Sequence, residues 1–236
     1  MRPGEYLGLL AVGLENTAYN AGLALREAAV LGRFPWWWRL RAALARHWAG
    51  LSPFAVVRRE GPASGLPEED LIYGETPPLT AYRLLEALQV GPRDRVVDLG
   101  CGRGTVVLVA ALAFGAAGLG CEALPTFVER GRRVACSLGL SRVEFRLGDV
   151  RGGPLPQGTV YFVAGTTLRP ESWRRVCARL KDTAPGTRAA SLSAPLPASR
   201  WELLQRNKMP FSWGPATVYL QRRRDDADMP VLPPQS

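Results

Sequence analysis

The run Val96-Val97-Asp98-Leu99-Gly100-Cys101-Gly102-Arg103-Gly104-Thr105 constrains this chain more than any other stretch. Its apolar pattern predicts a buried strand over Arg95–Leu99 that passes straight into a glycine-rich turn, which then opens a helix over Thr105–Phe114. Glycines belong in such a turn because the backbone must bend sharply and come close to a ligand. A dinucleotide-binding loop has a related design, but its glycines are spaced GxGxxG and seat a pyrophosphate on the helix N-terminus. Here the spacing is GxGxG, and Asp98 stands just before the first glycine. A carboxylate there would repel a pyrophosphate. It suits a ligand that carries a positive sulfonium and an α-ammonium group.

The segments around this motif alternate. A helix over Leu79–Val90 ends at Gly91-Pro92, and strands follow at Gly118–Glu122, Val143–Leu147, Thr159–Ala164 and about Thr187–Ser193. Helices over Pro125–Leu138 and Pro170–Lys181 lie between them. This order predicts an α/β fold, a doubly wound and mostly parallel sheet with helices on both faces. Phe211–Trp213 and Thr217–Gln221, separated by Gly214-Pro215, read as an antiparallel hairpin that closes the sheet. A sheet of this kind presents its strand ends to one ligand. Glu122 ends the second strand, where a carboxylate can accept from both hydroxyls of a ribose. Asp149 ends the third, where it can meet an adenine amino group.

The N-terminal part, to about Phe54, reads as helical. Leu7, Leu10, Leu14, Ala18, Ala21 and Leu25 recur on one face, and Pro35 starts a second helix through Trp36–Trp48. That second helix interleaves Trp36, Trp37, Trp38 and Trp48 with Arg39, Arg41 and Arg46. Three readings stand open for it: packing on the main domain, an interfacial membrane helix, or a nucleic-acid face with stacking aromatics. The domain organisation expected is a helical extension over 1–57, a linker over 58–71, a ligand-binding domain over 72–222 and a disordered tail over 223–236.

Charge and cysteine usage bound the partners. Lys and Arg outnumber Asp and Glu by 30 to 21, a net +9 carried almost wholly by arginine. Such a field favours an acidic protein, nucleic acid or an anionic membrane surface. Cys101, Cys121, Cys136 and Cys177 form no CxxC pair, and His47 is the single histidine, so no familiar zinc set can be assembled and no metal is expected. The apolar stretch Tyr6–Leu14 stops well short of the ~20 residues that span a bilayer, and it lacks the marks of a secretory signal. A cytoplasmic location with free thiols is the expectation, with residues 1–54 as the place for any peripheral membrane contact.

The residues resemble a particular family. Tyr73-Gly74-Glu75-Thr76, the block at 96–111, Gly120-Cys121-Glu122, Leu147-Gly148-Asp149, Val160–Val163 with Pro170-Glu171, and Ser212-Trp213-Gly214 with Tyr219-Leu220 are similar to the Dot-one-like lysine methyltransferases. That family belongs to the seven-stranded, Rossmann-like methyltransferases and is best known for methylating a lysine in the folded core of a histone. A related group of membrane-anchored mitochondrial lysine methyltransferases has a comparable core. The resemblance spans roughly residues 72–221. It implies S-adenosyl-L-methionine as cofactor and a protein as partner. It implies further that Tyr73, Glu75 and Thr76 fold over the methionine part, that Asp98, Gly100 and Gly102 line the same end, and that Glu122 meets the ribose and Asp149 the adenine. Phe211, Trp213 and Tyr219 would wall the acceptor channel, with Tyr73, Glu75, Trp213 and Tyr219 nearest the reaction. The chain departs from the family at two places: Ala164-Gly165 stands where the histone-directed enzymes have an Asn-Asn pair, and Val218-Tyr219 where they tend to have paired tyrosines.

Overall fold

The computed structural model describes residues 3–225, with side chains from residue 15 onward. Seven helices are placed: α1 (Pro3–Leu31), α2 (Pro35–Trp48), α3 (Pro53–Glu60), α4 (Pro78–Ala87), α5 (Thr105–Phe114), α6 (Pro125–Ser137) and α7 (Pro170–Leu180). Seven strands accompany them: β1 (Arg95–Leu99), β2 (Ala117–Glu122), β3 (Val143–Leu147), β4 (Val160–Val163), β5 (Arg188–Leu192), β6 (Trp201–Phe211) and β7 (Gly214–Arg223). Proline opens α2, α3, α4, α6 and α7. It has no N–H to leave unpaired there, and its fixed φ already matches the helix.

The sheet order is β3-β2-β1-β4-β5-β7-β6. Strands β1 to β5 run parallel and β7 is antiparallel to both β5 and β6. The chain therefore has the α/β, doubly wound, seven-stranded methyltransferase-type fold with an antiparallel hairpin and N-terminal helices. Chain direction across the sheet reverses between β1 and β4. In open α/β sheets the ligand crevice lies at such a switch, outside the C-terminal strand ends.

Alternation along β1 splits the core into two. Val96 packs with α2, α4, α5 and α6 through Leu84, Leu85, Val107, Leu108, Phe127 and Phe145. Val97 and Leu99 face the other way, onto Leu119, Tyr161, Val163, Val176 and Leu180 under α7. Central strand β4 is buried on both faces, which is why it reads as an unbroken apolar run.

One expectation needs correcting. The hairpin is far longer than its sequence signal, because β6 begins at Trp201 and its turn is Ser212-Trp213, with Gly214 already in β7. Residues 58–71 hold the end of α3 and two 3-10 turns, Gly61–Ser64 and Glu68–Leu71, where composition had suggested a linker. The tail expected from 223 begins as the end of β7, and past residue 225 it lies outside the described residues, as do the side chains of Leu7, Leu10 and Leu14.

Helices α1 and α2 pack on the main body. Trp37 and Trp48 are buried, Trp48 lies 5.2 Å from Phe127, and Trp36 stacks on Tyr82 at 6.1 Å. Trp38 is exposed. Glu27 of α1 is buried, and its carboxylate accepts from Trp37 Nε1 at 2.9 Å and from the Leu79 N–H at 3.1 Å. Burial nevertheless raises its pKa. Glu27→Ala strands two buried donors, and we expect a loss of about 2–4 kcal/mol in thermal or urea unfolding. Glu27→Gln, which keeps an acceptor in place, should lose less than half of that. Among the described residues no helix is long and apolar enough to cross a membrane, and no group of metal-ligating side chains forms.

Candidate functional site

The C-terminal ends of β1 to β4 open onto a cavity of about 300 Å³. Its floor is the glycine turn after β1. Gly100 and Gly104 have φ of +83° and +80°, in the left-handed region that glycine alone enters without cost. At Gly100 a Cβ would stand in open space, so only the backbone angle demands glycine there, whereas at Gly104 it would lie 2.4 Å from the Phe145 ring.

Of the residues singled out from sequence, Tyr73, Glu75, Thr76, Asp98, Gly100, Gly102, Glu122, Asp149 and Trp213 all line this cavity. Asp98 is buried at 2% exposure and its Oδ1 has no hydrogen-bond partner. The Tyr73 hydroxyl and Thr105 Oγ1 are likewise buried without partners. Three orphaned polar atoms around one cavity mark a ligand's place, since buried polar groups are otherwise satisfied.

Glu122 is more occupied than its position in the sequence implied. Its Oε2 accepts the Gly102 N–H at 2.9 Å, and its Oε1 accepts those of Ala123 and Leu124 at 2.7 and 3.2 Å. A carboxylate has about four lone-pair sites. Three are in use, which leaves room for one sugar hydroxyl rather than two. Glu122 therefore also braces the glycine turn against the start of α6.

Asp149 is gripped by Arg151, whose backbone N–H, Nε and Nη2 donate to its two oxygens at 2.8–3.1 Å. Burial raises the Asp149 pKa, but these bonds and the guanidinium charge outweigh it, and the carboxyl sits below its ordinary value.

The loop carrying Tyr73 and Glu75 is zipped to the β6–β7 turn. The Glu75 N–H donates to Ser212 Oγ at 2.8 Å, and the Ser212 N–H donates to the Glu75 carbonyl at 3.1 Å. Gly74 lies beneath Trp213 so closely that a Cβ would come within 2.3 Å of the indole. The Glu75 carboxylate itself is paired with Arg103, whose Nε donates at 2.9 Å.

Two expected channel residues are elsewhere. Phe211 is fully buried, stacked under Trp213 at 4.8 Å, and so supports the wall without forming it. Tyr219 alternates with the buried Val218 and Leu220 along β7, so it faces the other side, against Arg206 at 5.7 Å and outside the cavity lining. Ala164, Thr166, Thr167 and Leu168, which follow β4, line the cavity instead. Gly165 cannot carry a larger side chain, because a Cβ would sit 2.7 Å from Trp173.

Sequence reading missed Asp70, Arg103, Thr105, Arg151, Thr166 and Thr167 in this lining. Thr105 and Arg103 were legible from their place in the glycine turn. Thr166 and Thr167 follow a strand end, which was a usable signal. Asp70 and Arg151 had none.

Burial, and then the nearby Glu122, pushes the Asp98 pKa well above the ordinary carboxylate value, and burial also raises Glu122. An acid whose pKa is raised by folding contributes stability at low pH and loses it as pH climbs through the folded value. The ligand-free protein should therefore lose stability above the usual carboxylate range. A cationic ligand, which needs Asp98 ionised, should bind with proton release. Calorimetry in buffers of different ionisation enthalpy reads that release, and proton uptake would contradict the assignment.

Comparison with known proteins agrees with this geometry. The profile of a methyltransferase domain matches residues 96–184. An RNA methyltransferase from Salinibacter ruber, solved with S-adenosyl-L-homocysteine, is 29% identical with a TM-score of 0.55, covering 68% of this chain and 97% of that one. TrmN from Thermus thermophilus, at 21% identity and a TM-score of 0.55, covers 70% and 52% and shares the fold. The 23S rRNA (uracil(1939)-C(5))-methyltransferase RlmD of Klebsiella pneumoniae subsp. pneumoniae is 46% identical over 61 residues, 26% of this chain. That match spans 14% of the RlmD length. A buried acid at the cavity, a glycine turn at the switch point and the matched profile converge: residues 96–184 match a methyltransferase domain on a sheet of the type that binds S-adenosyl-L-methionine.

Proposed function

We propose that this chain is a methyltransferase whose acceptor is a lysine side chain of a protein. The reading is carried by the convergence of Asp98, Tyr73 and Thr105 on one cavity that Trp213 also lines. When bound, S-adenosyl-L-methionine supplies an activated methyl group on a sulfonium centre. What the protein must add is alignment and exclusion of water. Asp98 would hold the ammonium end, the backbone at Gly100 and Gly102 would seat the methionine part, and Glu122 would take a ribose hydroxyl, while Asp149, whose acceptor sites Arg151 fills, would mark the adenine end. Tyr73 and Thr76 close over the methionine part, and the Arg103–Glu75 pair keeps that loop in place.

A lysine acceptor must first lose a proton. With an ordinary pKa of about 10.4, this costs roughly 4 kcal/mol at neutral pH. A slender alkyl ammonium slipped against Trp213 is desolvated, which lowers its pKa, and Thr166 and Thr167 offer neutral hydroxyls at the same mouth. With Glu75 paired to Arg103, the proton leaves to solvent before the side chain seats.

A second reading, methyl transfer to RNA, is supported by the likeness to the Salinibacter enzyme and by the net charge of +9. Incubating the protein with radiolabelled cofactor and a fractionated cell extract separates the two. Label in a protein band, mapped to lysine by mass spectrometry, is expected. Label in the RNA fraction moves the acceptor to the second reading, and label in neither overturns both.

A further inference from the structure

Asp70 belongs to the short turn Glu68–Leu71, beside two exposed acids of the same run, yet its side chain is only 2% exposed. Two distant segments meet on it. Its Oδ1 accepts the Arg169 N–H at 2.8 Å, its Oδ2 accepts the Ser172 hydroxyl at 2.5 Å, and Arg151 Nη1 stands 3.5 Å away. Arg169 and Ser172 are the N-cap and first turn of α7. Asp70 thus supplies from another segment the negative charge and acceptor that a helix N-terminus favours. Through Arg151 it is linked to Asp149, so a line of alternating charge, Asp70–Arg151–Asp149, crosses the rim of the cofactor cavity. All three residues line that cavity, as do Leu66, Leu71 and Ile72 of the same segment.

From this arrangement we infer that Asp70 is the positioning residue of the adenine end of the pocket. It fastens the 66–76 segment over the cavity by holding the start of α7, and it holds Arg151 in place against Asp149 at that end. Release of cofactor or product at this end requires that the link open. The inference rests on Asp149 marking the adenine end.

The test uses the full chain and two probes, S-adenosyl-L-homocysteine and 5′-methylthioadenosine, which share the adenosine and differ in the amino-acid part. Asp70→Asn keeps shape and an acceptor for α7 but loses the charge that holds Arg151. It should weaken both probes by the same factor, about tenfold, the worth of one charge-assisted contact. The loss should appear in the dissociation rate. Arg151→Gln should do the same, and the double variant should be no weaker than either single one, because the two act as a unit. Losses that multiply in the double variant, or an affinity unchanged in Asp70→Asn, overturn the inference, since a merely structural acid would lower the thermal midpoint without coupling to Arg151. If Asp70→Asn fails to fold, an unchanged affinity in Arg151→Gln overturns it equally. Failure of the wild-type chain to bind either probe is a different result and sinks the cofactor assignment instead.

Discussion

Replacing Asp98 with Ala should raise the dissociation constant for S-adenosyl-L-methionine by at least ~100-fold, the largest effect of any single change in the pocket. Removing one partner of a buried charge pair costs about 3–5 kcal/mol, because the other charge is left dry and unpaired. Asp98 is that partner for the cofactor's ammonium group, and its Oδ1 has no other bond to fall back on. The variant should not be less stable. Burial and Glu122 already disfavour the ionised carboxylate, so the ligand-free protein carries Asp98 as a strain. Asp98→Asn, which preserves shape, should therefore unfold at the same temperature as the wild type or above it, while binding is lost. A fall in both together would mean that Asp98 serves the fold and not the cofactor.

The second large effect is on stability. Gly104 is the N-cap of α5 with φ of +80°, and a Cβ there would press into Phe145, which is buried at 2% exposure beneath the turn. Gly104→Ala combines a left-handed alanine, about 1–2 kcal/mol, with overpacking of the core, about 1–3 kcal/mol. The expected sum of roughly 2–5 kcal/mol corresponds to a drop of about 10 °C in thermal midpoint for a chain of this size. Gly100→Ala is the control. Its φ is as unfavourable, but the Cβ would stand in open space, so the packing part of the penalty should be absent.

These two residues were legible from sequence for the same reason. Asp98 and Gly104 sit in one short segment where strand, turn and helix follow directly, so local pattern and tertiary role coincide. The parallel strands were legible from their short apolar stretches, buried on both faces in β4 and alternating apolar with exposed charged residues in β3. Strand β6 was not. It is an edge strand on which Trp201 and Phe211 alone are fully covered among its eleven residues, so neither alternation nor an apolar run marks it.

Asp70 was hidden for a related reason. Nothing local separates it from Glu68 and Glu69, and its partners Arg151, Arg169 and Ser172 lie 81 to 102 residues further along the chain. Tyr219 shows the opposite error. Resemblance placed it at the acceptor, but the period of β7 turns it to the other face of the sheet. The loop at Tyr73–Thr76 and the turn at Ser212-Trp213 were each noted from resemblance. Their mutual hydrogen bonds and the seat of Gly74 under Trp213 emerge only in three dimensions.

Calorimetric titration of the full chain with S-adenosyl-L-methionine, repeated with Asp98→Ala, tests the cofactor pocket most directly. One-to-one binding with proton release in the wild type, and its loss in the variant, is the predicted result. Wild-type protein that takes up no cofactor, or an Asp98→Ala protein that binds it as tightly as the wild type, would contradict the assignment on which the proposed methyl transfer depends.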